Sequence, residues 1–331
     1  MIATILQRAI IQGIPLLFGS TGEIVTEKSG SLNLGIPGVM TVGGICGIIG
    51  AFFYERLLPA PVAEHINPVL AILIPLLASL LGSLVMGLIY AFLTVTLRAN
   101  QNVTGLALTI FGTGIGDFFG GSLIKLTNSD VASVSVTATS KFFCATLPFA
   151  EKLGWFGTIF LSYGFLTYVA VAIAIVVAII FKRTRVGLNL RAVGEAPATA
   201  DAAGINVTKY KYFAIAIGSM IAGLGGFYYV MVYMNGGWSN SSPIIERGWL
   251  AIALVIFALW KPDIGIFGSV LFGGLYILYL FIPGLSNATR EIFKMLPYVV
   301  TILVLVLTSI RKRREDQPPA SLGLSYFREE R

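Results

Sequence analysis

A chain of 331 residues that is 56% hydrophobic and only 12% charged carries more apolar surface than a soluble core of its size needs, which excludes a soluble globular domain and, outside the carboxy-terminal tail, intrinsic disorder. The net charge of +7 is no nucleic-acid footprint, because the basic residues cluster at the ends of apolar segments instead of forming one stripe. The single histidine, His65, and the two cysteines, Cys46 and Cys144, make neither a metal spacing nor a disulfide framework.

A charge near the centre of a membrane helix costs about 2.5 to 3.5 kcal/mol, so uncharged runs mark the spans. They cover 9–22, 29–54, 65–97, 99–116, 153–181, 212–245, 248–260, 264–289 and 295–310. About 20 residues cross a ~30 Å hydrocarbon core, so each run predicts one helix. The expected fold is an all-α polytopic transmembrane helix bundle of about nine spans, within a range of about eight to ten, with residues 1–310 as the membrane domain and 311–331 as a tail.

In chain order, the first run follows Arg8 and ends at Ser20-Thr21-Gly22-Glu23 without a small-residue cleavage pattern, so it reads as a retained helix and not a signal peptide. Glu23 and Glu27 lie one turn apart, beside Lys28, and read as a solvated helix end. The Gly/Pro-interrupted stretch 30–38 leaves the side of the amino terminus open between two parities. Small residues at helix-packing spacing recur at Gly43, Gly44 and Gly47, at Gly82 and Gly87, at Gly112, Gly114 and Gly116, and at Gly218, Ala222 and Gly226. Gly112-Thr113-Gly114-Ile115-Gly116 is no nucleotide loop, having no preceding strand and no acidic ribose partner. Asp117, about 24 Å along a helix starting near Gln101, is expected close to the outer interface.

Residues 182–211 form the one long polar excursion. Lys182-Arg183-Thr184-Arg185, Arg191, Lys209 and Lys211, with Arg311-Lys312-Arg313-Arg314 after the last span, put this segment and the carboxy terminus in the cytoplasm. Within it, 194–204 reads as a short helix opened by Pro197, rich in alanine and stopped by Gly204. So short a helix is marginal in water and needs docking. The 248–260 run would reach only about 20 Å, which sets Glu246 and Arg247 at the interface or breaks the helix. No Gly-Lys pair exists, so the chain has no phosphate-cradling loop of its own.

Three stretches carry a resemblance. Arg191-Ala192-Val193-Gly194-Glu195-Ala196-Pro197, Ala202-Ala203-Gly204-Ile205-Asn206-Val207 and Ser219-Met220-Ile221-Ala222-Gly223-Leu224-Gly225-Gly226 resemble the cytoplasmic coupling loop and following helix of bacterial ABC importer permeases of the branched-chain amino acid, ribose and nucleoside group. Glu23 with Glu27-Lys28-Ser29-Gly30-Ser31-Leu32-Asn33-Leu34-Gly35-Ile36-Pro37-Gly38-Val39-Met40 is similar to that group's amino-terminal signature, with Pro37 where an acid is common and Val39 where a methionine is. Asn102-Val103-Thr104-Gly105-Leu106-Ala107-Leu108-Thr109 and Pro319-Ala320-Ser321-Leu322-Gly323-Leu324 resemble the nucleoside branch that works with a basic-membrane-protein-type lipoprotein receptor.

The resemblance implies a B12-importer-like architecture in the bacterial cytoplasmic membrane. It further implies a second homologous permease chain, an extracellular lipoprotein substrate-binding protein and a separate ABC ATPase that holds ATP and Mg, with no cofactor or catalytic residue on this chain. Coupling to that ATPase falls to Arg191, Gly194, Glu195, Pro197, Ala202, Ala203 and Gly204. A nucleoside offers a flat base and a hydroxylated ribose, so its path should present amides, hydroxyls and aromatic faces. Asn33, Asn102, Thr104 and Asn235 are candidates, as are Tyr228, Tyr229, Tyr233 and Trp238, though each also suits backbone satisfaction or an interfacial aromatic belt. Sugars and branched-chain amino acids are the alternative cargoes. A stand-alone carrier or channel sits poorly with the lack of a buried acid legible in the spans, and an intramembrane enzyme lacks a nucleophile, base or metal constellation.

Overall fold

The computed structural model describes residues 2–59, 62–127, 133–146, 154–311 and 316–327. Lys312, Arg313 and Arg314 of the last basic run lie outside them. Helix α1 (Ile2–Glu27) is followed by α2 (Ile36–Leu57), the short α3 (Val62–His65), α4 (Pro68–Ala91) and α5 (Gln101–Thr127). After α6 (Thr137–Cys144) and α7 (Gly154–Phe160) come α8 (Phe165–Arg183), α9 (Arg185–Glu195) and α10 (Pro197–Ala202). The chain continues through α11 (Val207–Tyr228), α12 (Ser242–Phe257), α13 (Pro262–Ile277), α14 (Asn287–Lys294) and α15 (Leu296–Arg311). Among the described residues eight helices are long and apolar enough to cross a membrane, and α12, 16 residues long, lies among them as a shorter ninth. Both α4 and α11 run on into a π-helical turn, at Phe92–Thr96 and Tyr229–Tyr233.

Helices α1, α2 and α11 form the centre, with α4, α12 and α13 against them. Backbones approach closely where side chains are missing. A Cβ at Gly226 would run into the Met40 carbonyl oxygen, and one at Gly112 into the Gly38 backbone. In lipid no hydrophobic force draws helices together, so this close packing, with the hydrogen bonds it permits, must hold the bundle. Gly112 and Gly116 pack inward as their spacing predicts, whereas nothing lies within 4 Å of a Cβ at Gly114.

Successive spans alternate in direction. One end, here the basic end, carries α9, α10 and the turn 28–35; the far end carries α6, α7, α14 and a two-stranded antiparallel pair in which Val134 of β1 (Val134–Ser135) faces Trp238 of β2 (Gly237–Trp238). Trp238 is seated over Gly116 and Gly120 of α5. Asp117, exposed near the far end of α5, accepts the Ser241 N–H (3.0 Å) and hydroxyl (2.9 Å), so it caps the start of α12 from a neighbouring helix.

Two expectations are corrected. Glu23 and Glu27 are not a solvated helix end: they are 1% and 4% exposed, because the chain folds back beneath them as the turn 28–35 and Trp260 covers Glu27. Arg247 does not sit at an exposed interface and α12 is not broken there. The guanidinium is buried inside α12, 4.2, 5.2 and 5.6 Å from the ring centroids of Tyr229, Tyr233 and Tyr276.

Candidate functional site

The basic end is built around helices that the local sequence starts and stops. Thr184 caps α9 through the Gly187 N–H (3.1 Å), Pro197 occupies the first turn of α10, Gly204 takes a left-handed φ of 84° just past its end, and Asn206 caps α11 through the Lys209 N–H (2.9 Å). Val193, Ala200 and Val207 make a small core of their own beneath this excursion. Arg191, Glu195, Ala202, Ala203 and Gly204 are exposed, and Pro197 half-exposed. Gly194 is different. It is buried against the Lys28 carbonyl, where any side chain would collide. Six of the seven predicted coupling residues are thus wholly or partly exposed at this end, and the seventh packs against the turn 28–35.

Beneath Gly194 lies a turn that is polar and almost wholly buried. The Asn33 N–H donates to Glu23 Oε1 (3.0 Å), the Leu32 N–H to Gln101 Oε1 (2.7 Å), and the Tyr90 hydroxyl to the Leu32 carbonyl. Asn33 Oδ1 accepts the Gly35 N–H (2.9 Å), and Thr109 donates to the Leu34 carbonyl (2.9 Å). A non-helical stretch inside the bundle is tolerated where protein supplies such partners. Trp260 donates its indole N–H to Glu27 Oε2 from a turn in which both Leu259 and Trp260 have φ of 55°, a conformation costing about 1 to 2 kcal/mol per residue. Lys28, just outside α1, has its ammonium pushed down to about 8 by burial, with Arg191 adding like-charge repulsion.

The four proposed path residues do not converge. Asn33 is fully buried in the turn, with Nδ2 left without a partner. Thr104 is buried and Asn102 exposed near the basic end of α5, while Asn235 is exposed at the far end, where its Oδ1 accepts the Cys144 thiol (3.5 Å). Of the aromatic group, Tyr228 is fully buried and shares a hydrogen bond with Thr167 (3.1 Å). Tyr229 and Tyr233 stack on each other (5.1 Å between centroids) and on Arg247, whose neighbour Glu246 accepts the Tyr276 hydroxyl (2.5 Å). Cation–π contact of this desolvated kind contributes about 2 kcal/mol and gives the guanidinium a partner inside the bundle.

A cavity of about 390 Å³ opens between Glu27, Trp260, α12, α15 and residues 316–322. A larger one, about 1020 Å³ between α1, α8 and α13, is walled almost entirely by hydrocarbon and offers a hydroxylated solute little to bind. Among the described residues no group of three His, Cys, Asp or Glu side chains could hold a metal.

Comparison with known proteins decides what this architecture is. The family described as the permease component of branched-chain amino acid transport systems matches residues 5–305. The chain belongs to that family. The permease is 30% identical over 307 residues to the nucleoside ABC transporter permease NupC of Lactococcus lactis, covering 92% of this chain and 91% of the relative. It is 29% identical to the guanosine ABC transporter permease NupQ of Bacillus subtilis, over 100% and 98% of the two chains. It is also 29% identical to the putative glucose ABC transporter permease TsgC13 of Haloferax volcanii, over 99% and 98%. No solved structure matches. The permease is therefore a multi-pass membrane subunit of an ABC transporter.

The sequence reading missed the buried acids, the Arg247 stack and the docking of the tail. Each depends on residues far apart in the chain, such as Glu27 with Trp260. The one local signal was Glu246-Arg247 itself, a charge pair inside an otherwise apolar run, and an ionisable residue within a span is a reason to look for a partner.

Proposed function

We propose that this chain is one permease subunit of an ATP-driven importer of nucleosides in the bacterial cytoplasmic membrane, with the basic end and the carboxy terminus in the cytoplasm. A homologous second permease completes the path, and a lipoprotein receptor delivers cargo from outside. A separate ATPase, which binds ATP and Mg, docks on α10. The reading is carried by similarity along nearly the whole chain to two permeases named for nucleoside and guanosine transport. The outward Ala202, Ala203 and Gly204 support the docking face: small side chains let a partner's groove come close. ATP binding differs between the transporter's two states, and α10 passes that difference to the bundle as rigid-body rocking.

The test is uptake of labelled guanosine in cells lacking their own nucleoside importers and expressing this chain with its ATPase, second permease and receptor. Uptake is expected to need ATP hydrolysis and to be competed by unlabelled nucleosides but not by glucose or leucine. Ala202→Glu or Ala203→Glu is expected to abolish cargo-stimulated ATP hydrolysis while the chain still folds in the membrane. Nucleotide-free transport at full rate by the purified chain in liposomes, driven by an ion gradient, overturns the reading. A sugar cargo is the second reading, favoured by the similarity to the putative glucose permease, and competition by glucose alone would establish it.

A further inference from the structure

The segment after α15 is not a loose end. Asp316 pairs with Lys261 (2.8 Å) in the turn before α13, and Pro319 and Ser321 are buried. Both the backbone N–H (3.1 Å) and the hydroxyl (2.6 Å) of Ser321 donate to the Gly194 carbonyl of α9, and two residues on the Gly323 N–H donates to the Gly30 carbonyl (3.3 Å). Gly30 takes a φ of 81°, and a Cβ there would press on the Ser321 hydroxyl (2.6 Å). Three stretches of chain therefore cross at one point, two of them at a glycine whose added Cβ would collide and the third at a serine.

Beyond the crossing the tail reaches two further elements. Its Leu324 carbonyl accepts Gln101 Nε2–H (3.3 Å), and the same Gln101 side chain holds the Leu32 N–H. Tyr326 donates to Asp201 Oδ2 of α10 (2.9 Å), and its ring packs on the small core of Val193, Ala200 and Val207. An isolated six-residue helix has no stability of its own, so α10 follows whatever holds it. It is held by α9, by α11 and by the small core, and the tail adds the Tyr326 ring and its hydrogen bond to Asp201.

We infer that residues 316–327 belong to the coupling apparatus: they register α9 and α10 against the turn 28–35, with Ser321 and Tyr326 as positioning residues. The functional consequence rests on α10 facing the ATPase. A displacement of α10 is then passed along the tail to the Glu23 and Glu27 layer as well as through the α10–α11 connection.

Two measurements separate the tail's role from that reading. In the full chain held in detergent, Ser321→Ala with Tyr326→Phe should raise amide exchange about tenfold in both 28–35 and 193–202 and leave the middle of α11 unchanged. Deletion of 320–331 should do the same more strongly. Loss of protection in only one segment, in neither, or across the whole chain overturns the proposal. In the assembled transporter the double variant should lower cargo moved per ATP hydrolysed about fivefold, a ratio that mere loss of folded protein does not alter. An unchanged ratio overturns the tail's part in coupling. If the unaltered assembly hydrolyses ATP without moving cargo, the functional reading fails while the exchange result still decides whether the tail registers the two segments.

Discussion

Helices α1 and α15 cross the same layer under opposite rules. The most hydrophobic stretch of α1 is 89% buried within the protein, that of the span Asn287–Ile310, which ends in α15, only 11%, yet the latter is the more apolar of the two. In water the order would be reversed. Here α1 carries Gln12, Ser20, Thr21, Glu23, Thr26 and Glu27 inside, because protein can supply hydrogen-bond partners and hydrocarbon cannot. The outward faces of α15 and α5, with Ile302, Val306, Ile110 and Phe118 exposed, need only be apolar, and suit lipid or another permease chain. Hydropathy therefore finds the spans and misreads which of them form the centre.

That contrast can be broken most sharply with glycine. Gly226→Leu, which drives a side chain into the Met40 backbone, should cost well over 3 kcal/mol and abolish membrane accumulation on immunoblots. Gly114→Leu, with open space around it, should leave accumulation and uptake near the starting level. Equal losses at both sites would mean that centre and periphery are not distinct. Next comes Trp260→Phe, which keeps an aromatic ring, though a smaller one, and removes the donor to Glu27. A buried acceptor left unsatisfied costs about 1 to 3 kcal/mol, to be read as a lower unfolding temperature in detergent.

Arg247→Lys tests the far end of the centre. Lysine keeps the charge but not the planar stack on Tyr229, so a loss of about 1 to 2 kcal/mol is expected, with a lower unfolding temperature than the parent. Asp117→Asn should matter less. The amide retains one acceptor for Ser241 and gives up a charge at a helix start, worth about 0.3 to 1 kcal/mol, and uptake should stay within about twofold.

A further effect concerns pH. The Lys28 ammonium sits at about 8 in the fold against 10.5 in the free side chain, so between those values the folded chain binds fewer protons than the unfolded one and its stability rises with pH. Below pH 8 the burial penalty is fully present, and it lifts as pH climbs toward 10.5. Lys28→Met should flatten that part of the unfolding-temperature profile; an unchanged slope would place the titration elsewhere.

Most of the fold was legible, because length and charge exclusion depend only on local sequence. The boundaries around 264 and 310, and the α10 helix opened by Pro197 and ended at Gly204, follow from rules that act within a few residues, whereas α11 starts at Val207, ahead of the charges that set its expected start at 212. What stayed hidden is tertiary. Glu23 and Glu27 look solvated when only Lys28 is considered, and their burial depends on Trp260, more than two hundred positions away, lying on a backbone that few residues adopt. Arg247 was set at the interface by counting residues, whereas three tyrosines from two other elements make its burial tolerable. Asn33, Asn102, Thr104 and Asn235 were grouped by chemistry alone, and chemistry carries no information about which end of a helix a residue occupies.

Helix α12 covers about 24 Å at ~1.5 Å per residue, against ~30 Å of hydrocarbon. Unlike an undersized span facing lipid, it is hemmed in by α1, α2, α13 and α15, so the membrane cannot thin around it to close the gap. Protein rather than lipid flanks both of its ends: Asp117 caps the start at Ser241, and the Leu259–Trp260 turn follows the other end.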